Sequence, residues 1–385
     1  MVYRLCLDNF KDLSFTGFDN IPYIVPIANN KVIDFNLQQV IDRLPIHYCT
    51  DFLNRDFYPN AESPVLDKFM NDISLDRNEL KEFLYEEIGY GLAGYAGNGV
   101  FAIHYGTGGN GKGIFQNLVS ETLGQKLVRS CDSSLIAPGP TAKNQATPAL
   151  LSLIGAKIVF ITECIEIDEA QIKKLTGGNK LSGRLMFTDQ MTEFKFFGLI
   201  IIETNDPPIT RATDSMGRRK MQIPFDLKVV SQSKFENKSD QRIINTNLTT
   251  ELATEEVRNA FFSKIVKAGF NGKKNWDPPE IVKQETKRAN LENDTFHKFI
   301  SDCIDITSCE TETSKYISSK DLQTLYLKFC YDLPKGLTRL TNIQFIKRIN
   351  LEYHSFMKTI NGSRFYTFAF NDGIIESLSN TRITI

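Results

Sequence analysis

The run Gly106-Thr-Gly-Gly-Asn-Gly-Lys-Gly113 constrains this chain more than any other stretch. It follows an apolar run at residues 100–105 and leads into residues 114–123, where apolar side chains recur at helical spacing. Strand, glycine loop, helix is the context in which G-x-x-x-x-G-K reads as a phosphate cradle. Glycines permit backbone angles that turn several N–H groups toward one point, and the helix behind adds the positive end of its dipole. Lys112 supplies a mobile charge for the β- and γ-phosphates. The loop predicts ATP with Mg²⁺, held by Gly106, Gly108, Gly109 and Gly111 with Asn110, Lys112 and the first helical residues Gly113 and Ile114. The hydroxyl that normally binds Mg²⁺ after the lysine is absent, because that residue is Gly113. The metal is then expected on phosphates, water and a carboxylate elsewhere.

A length of 385 residues suggests two or three domains. With 41% hydrophobic and 24% charged residues the composition is that of a soluble globular protein. The net charge of −1 supplies no global basic field, so nucleic-acid contact has to come from local patches. Seven scattered cysteines without a C-x-x-C pair argue for a reducing compartment and against a disulfide framework. The four histidines lie far from them in sequence, so no zinc knuckle is supported, and no apolar run approaches membrane-spanning length. A soluble, intracellular protein with no membrane partner is expected.

Residues 1–98 read as mostly helical after a short extended opening, with Asn29-Asn30 turning a hairpin within residues 21–35. Leu80, Phe83, Leu84 and Ile88 recur at helical spacing, and Glu86 and Glu87 are read as that helix's solvated surface. From residue 100 to 225 short apolar runs alternate with helical patterns, which indicates an α/β core with a mainly parallel sheet. Glu163 closes one buried strand, at the sheet edge where α/β proteins bind ligands, and is fit to position Mg²⁺ or polarise the attacking water. Asn205 follows another buried strand and is placed to orient that water or touch the γ-phosphate. Arg218 and Arg219 precede a third strand. Such pairs are ordinary surface residues in most proteins, but in an oligomeric ATPase one of them can reach a neighbour's γ-phosphate.

Two basic regions suit a phosphodiester backbone. Lys173, Lys174, Lys180 and Arg184 surround Thr176 and the tight turn Gly177-Gly178. Further on, residues 318–331 and 341–350 form amphipathic helices, and residues 353–360 and 364–370 alternate as strands about Asn361-Gly362. Helix, helix, hairpin is the order of a winged helix, whose basic helix and wing would carry Lys347, Arg348, Lys358 and Arg364. The expected boundaries are 1–98 for the helical domain, 99–230 for the ATPase core, 231–310 for a linker and helical segment, and 311–385 for the winged helix.

Taken in order, the glycine loop, Phe-Ile-Thr-Glu163, Lys-Leu-Thr-Gly-Gly-Asn-Lys-x-Ser-x-Arg184, Glu-Thr-Asn205-Asp-Pro and Gly-Arg-Arg219 resemble superfamily 3 helicases. The branch is that of primase-helicases of phages, plasmids and large DNA viruses, of the poxvirus and phage P4 type. The resemblance implies an AAA+ P-loop ATPase core, preceded by a collar-like helical domain and followed by a winged helix. It implies a homo-oligomeric ring, usually a hexamer, that moves 3′→5′ on single-stranded DNA and opens forked DNA. By matched position Lys112 holds the phosphates, Glu163 serves metal and water, Asn205 is sensor 1, and Arg218 or Arg219 is the trans finger. The turn from Thr176 to Lys180, with Lys180 favoured, would be the pore loop that grips DNA. Such proteins often carry a primase or primase-polymerase domain, or work with one as a partner. This chain shows no carboxylate set or zinc motif for that, and is expected to be the C-terminal part of a longer, phage- or virus-encoded protein acting in the host cytoplasm. Two other readings stay open: an ATP-dependent origin-binding initiator that does not unwind processively, and a small-molecule P-loop kinase, which the basic turn and paired arginines fit poorly.

Overall fold

The alternating residues near the N-terminus fold as a three-stranded antiparallel sheet, β1 (Ile24–Ile27), β2 (Lys31–Asp34) and β3 (Gln39–Asp42). Asn29 and Asn30, both at φ 54°, turn the chain between the first two strands, a conformation asparagine tolerates better than most residues. The computed structural model describes residues 18–19, 21–138, 148–184, 191–210, 214–272, 277–305, 315–334, 337, 339–360 and 363–370. It divides into two units, residues 1–208 with 218–286, and residues 209–217 with 287–385.

In the first unit, helices α1 (Pro64–Ser74) and α2 (Asn78–Leu92) follow the small sheet. Leu80, Phe83, Leu84 and Ile88 of α2 are all nearly fully buried, as their spacing predicts for one apolar stripe. Next come β4 (Phe101–Tyr105), α3 (Lys112–Leu127), β5 (Val128–Cys131) and β6 (Ile158–Thr162). Helix α4 (Glu169–Thr176) begins at Asp168, whose carboxylate accepts from the N–H groups of Ala170 and Gln171. A hairpin follows, β7 (Lys180–Arg184) paired antiparallel with β8 (Met191–Lys195), then β9 (Leu199–Thr204), β10 (Lys220–Pro224) and helix α5 (Glu255–Asn271). Five strands make one parallel sheet in the order β10-β4-β9-β6-β5. Burial is near complete along β4, β6, β9 and β10, and β4, β6 and β9 accordingly read as apolar runs rather than alternations, whereas β10 buries the polar Lys220 and Gln222 as well.

The expected hairpin is present and gains a third strand, but the helices that follow, expected to form a domain of their own, do not have a separate core. Val25, Phe35, Phe69, Phe83 and Ile88 belong to one apolar cluster with Phe115 of α3, Phe160 and Ile201 of the sheet, and Phe261 and Ile265 of α5. Helices α2 and α5 cross closely: a Cβ on Gly89 would lie 2.5 Å from the Ile265 carbonyl oxygen and 2.6 Å from the Gly269 nitrogen.

The second unit holds helices α6 (Thr295–Cys303), α7 (Ser319–Tyr331) and α8 (Asn342–Glu352) with strands β11 (Lys315–Ser318), β12 (Met357–Ile360) and β13 (Ser363–Phe370). Both β11 and β12 pair antiparallel with β13. The expected Asn361-Gly362 turn lies outside the described residues. Phe296, Phe299, Tyr326, Phe345, Ile349 and Phe368 form this unit's own core. Among the described residues, no helix of the protein is long and apolar enough to cross a membrane.

Candidate active site

The glycine loop spans the turn between β4 and α3, at the C-terminal edge of the parallel sheet. Gly106, Gly108, Gly109 and Gly111 all have positive φ, at 155°, 49°, 60° and 88°. Repeated departures of this kind are how successive N–H groups converge into an anion nest. A Cβ at Gly106 would collide with the Phe225 carbonyl and the Asn110 side chain, so no other residue fits there without moving the loop. Asn110 is only 3% exposed and donates to the Phe225 carbonyl oxygen at 3.2 Å, which fastens the loop to the end of β10. Its side chain therefore supports the loop from within. Gly111 caps α3, and Gly113 and Ile114 sit in the helix's first turn. Gly113 has open space where a Cβ would go, so nothing steric forbids the missing hydroxyl.

Lys112 is buried, and its ammonium donates to the Gly106 carbonyl oxygen at 2.6 Å, across the loop it belongs to. Burial pulls its pKa down, and the nearby Glu203 carboxylate opposes that pull. Glu163 follows β6, is exposed, and has φ 56°, a strained conformation for a non-glycine residue. Its N–H donates to the Glu203 carbonyl oxygen at 3.1 Å, so the ends of β6 and β9 are tied together. Asn205 is exposed just beyond β9. Because β9 lies between β4 and β6, the loop, Asn205 and Glu163 occupy three adjacent strand ends.

Sequence reading missed what lies beneath them. Glu87, taken as helix surface, is fully buried, and both its oxygens lie 2.9–3.0 Å from His104 Nε2. The opposite nitrogen, Nδ1, is 3.9 Å from Glu203 Oε1. Burial alone would push the imidazole down, but the Glu87 and Glu203 carboxylates outweigh it and hold His104 up at about 9. An acidic residue in an otherwise apolar helix stripe was the available signal for Glu87, and His104 and Glu203 were the polar intrusions in two buried strands. Glu86, its neighbour, is exposed as expected.

Arg218 and Arg219 precede β10 at its N-terminal end, level with the start of β4, as the pairing of Lys220 with Phe101 shows. The four residue steps from Phe101 to Tyr105 span about 13 Å of strand, so both arginines lie across the sheet from the loop. Arg218 is exposed, whereas Arg219 is half-buried with its Nε packed against Gly99.

The cations expected to meet DNA separate into distinct settings. Lys174 is exposed on α4, while Thr176 is buried and donates to the Ile172 carbonyl within the same helix. Gly177 and Gly178 connect α4 to β7, with Gly178 at φ 67°. Lys180 opens β7 and pairs with Glu193 at 3.2 Å, so it stands at the base of the β7–β8 hairpin. Arg184 is at the other end of β7, beside residues 185–190, which lie outside the described residues. In the second unit Lys347 and Arg364 are exposed, and Lys358 lies on β12 opposite Phe365. Arg348 is engaged internally: it grips Asp294 with two bonds of 2.7 and 2.9 Å, bonds Glu352 at 2.6 Å, and stacks over Phe296 at 4.6 Å. That geometry removes it from the exposed basic surface on which the winged-helix expectation placed it.

The described residues contain no cluster of three metal-ligating side chains, so the protein would offer a metal isolated groups such as Glu163. A cavity of about 470 Å³, lined among others by Cys49, Arg55, Leu127 and Lys157, borders none of the predicted site residues.

No family model matches the chain. It is 24% identical over 337 residues to the provisionally named helicase L207/L206 of Acanthamoeba polyphaga mimivirus, covering 83% of this chain and 34% of that protein. It is also 24% identical over 350 residues to the provisionally named helicase 121R of Invertebrate iridescent virus 3, covering 85% of this chain and 35% of that one. The chain thus spans about a third of the length of the curated relatives it matches. Among solved structures it is similar to the apo form of the NrS-1 C-terminal region, with TM-score 0.50 and 14% identity over 82% of this chain and 78% of that one. That likeness is one of fold, and the five-stranded parallel sheet fits a P-loop core.

Proposed function

We propose that this chain is the motor of a viral DNA helicase of the superfamily 3, AAA+ type, driven by ATP hydrolysis with Mg²⁺. The observation that carries the reading is the loop itself: four glycines at positive φ, a buried lysine and an open helix start, gathered on one sheet edge beside Glu163 and Asn205. The two viral relatives, both named as helicases, support the choice of a strand-separating motor over a metabolite kinase.

In this reading the loop N–H groups and the start of α3 bind the phosphates, and Lys112 exchanges the Gly106 carbonyl for a phosphate oxygen. A bound Mg²⁺ would neutralise charge on the β- and γ-phosphates, with Glu163 as its nearest protein carboxylate or as the group that polarises water. Asn205 orients that water. Arg218, exposed on the far side of the sheet, acts on the site of a neighbouring subunit in a ring, a hexamer by family, rather than on its own. The β7–β8 hairpin with Lys174 and Lys180 faces single-stranded DNA, and the second unit serves as a winged helix with Lys347, Lys358 and Arg364. Movement is 3′→5′ by family resemblance, and a primase or polymerase is the natural companion of such a motor.

The test is DNA-stimulated ATP hydrolysis and unwinding of a forked duplex by the protein and by Lys112→Ala. Removing the lysine is expected to reduce both to background while circular dichroism stays unchanged. Unwinding that survives the substitution overturns the assignment of this loop as the motor's fuel site.

A further inference from the structure

Four charged side chains are buried at or beneath the loop: Glu87 on α2 and Glu203 on β9 on either side of the His104 ring of β4, and Lys112 at the start of α3 with its ammonium on the Gly106 carbonyl. A packing role does not account for them, since taking ions out of water is costly and an apolar replacement of similar volume is often as stable or more so. Glu203 is 7% exposed, and its Oε1 has no hydrogen-bond partner. Buried groups left incompletely satisfied tend to sit where a protein does chemistry.

Their placement is specific. His104 and Glu203 are register partners on adjacent parallel strands, so they share one face of the sheet, against which Phe115 of α3 packs. His104 stands two residues before Gly106, and Glu203 two residues before Asn205. The pair therefore joins the strand that carries the phosphate loop to the strand that carries the water-orienting residue. Lys112, folded back onto Gly106, completes a set of two carboxylates and two cations. When the lysine turns outward to a phosphate, that balance is lost and an anion is left under the bound phosphates.

We propose that Glu203 is the counter-charge of the phosphate-loop lysine: it draws Lys112 back into the empty loop and thereby weakens nucleotide binding and hastens release. It is a positioning residue, acting through Lys112 and joined through His104 to Glu87 on α2. The proposal rests on reading the loop as a nucleotide site, and its test separates the two.

Wild type, Glu203→Gln, Lys112→Met and the double variant are compared in two measurements. The first is Mg·ADP affinity by calorimetry, where Glu203→Gln is expected to bind about tenfold more tightly than wild type, since a negative charge near the phosphates is gone. A residue needed only for structure would weaken binding when replaced. The second is thermal unfolding without nucleotide. Lys112→Met should lower the melting temperature by stranding Glu203, and adding Glu203→Gln should recover most of the loss. Equal or weaker ADP binding by a folded Glu203→Gln, or melting shifts that simply add, overturns the proposal. Failure of wild type to bind ADP or ATP would instead remove the nucleotide reading, and the melting cycle would still decide whether Glu203 and Lys112 are coupled. Glu203→Met, of similar volume, takes the place of the glutamine variant if that does not fold.

Discussion

His104 shows how one residue reports its surroundings through pH. Its imidazole is fully buried, yet Glu87 and Glu203 hold its pKa at about 9 against the ordinary 6.5. A cation whose folded pKa is raised contributes stability that is complete below the unfolded value and is lost as pH climbs through the folded one. The stability advantage of wild type over His104→Gln should therefore be full near pH 6, shrink above about 6.5, and be mostly gone beyond about 9. Lys157, pushed by burial down to about 8 from 10.5, works in the opposite sense, since it favours the folded state as pH rises through that interval. It is common to both proteins and cancels in the difference. Melting temperatures of the two across pH 6–9.5 make the check, and a constant gap would mean His104 does not carry its charge into the core. Nothing in local sequence spacing foretold this cluster, because Glu87 is 17 residues from His104 in sequence and Glu203 lies on another strand. The loop residues were legible for the opposite reason: their chemistry is local, contained in eight consecutive positions.

At the level of elements, legibility followed burial pattern. Strands β4, β6 and β9 are buried on both faces and mainly apolar and read directly as a parallel sheet, while the β7–β8 hairpin went unread because its strands, as long as β4 and β6, are largely polar. Lys180 was consequently expected in a turn and sits at a strand's first position. The glycines of α2 were equally opaque, since helix propensity counts against them and only what packs on them explains them, the partner helix at Gly89 and strands β6 and β9 at Gly91. Gly89→Ala poses two effects of opposite sign. A helix-interior alanine gains roughly 0.5–1 kcal/mol over glycine, but the new Cβ would lie 2.5 Å from the Ile265 carbonyl, and overpacking of that kind costs about 1–3 kcal/mol. Close packing should win. The urea midpoint is expected to fall with the denaturant slope unchanged, whereas a rise would show that α2 and α5 separate more easily than their contact implies.

For the molecule as a whole, the position of Arg218 decides how many subunits one active site needs. Parallel strands place the loop at one end of the sheet and Arg218 at the other, about 13 Å along β4, so the arginine cannot serve the loop of its own chain. An exposed guanidinium in that position is either ordinary surface or half of a site shared between subunits, and mixing discriminates. Arg218→Ala should lose a thousandfold or more of ATPase rate if it is a finger, within the ~10³–10⁵ range such residues supply. Lys112→Ala should be inactive for its own reason. In rings formed from equal amounts of the two, about a quarter of head-to-tail interfaces join an intact lysine to an intact arginine, so activity should return toward about a quarter of wild type. A variant at Arg219, which packs against Gly99, should instead show a lowered melting temperature and no such rescue. Rings proven to contain both chains and still inactive would place catalysis within single subunits, and the ring reading would lose its chemical basis even if oligomers form.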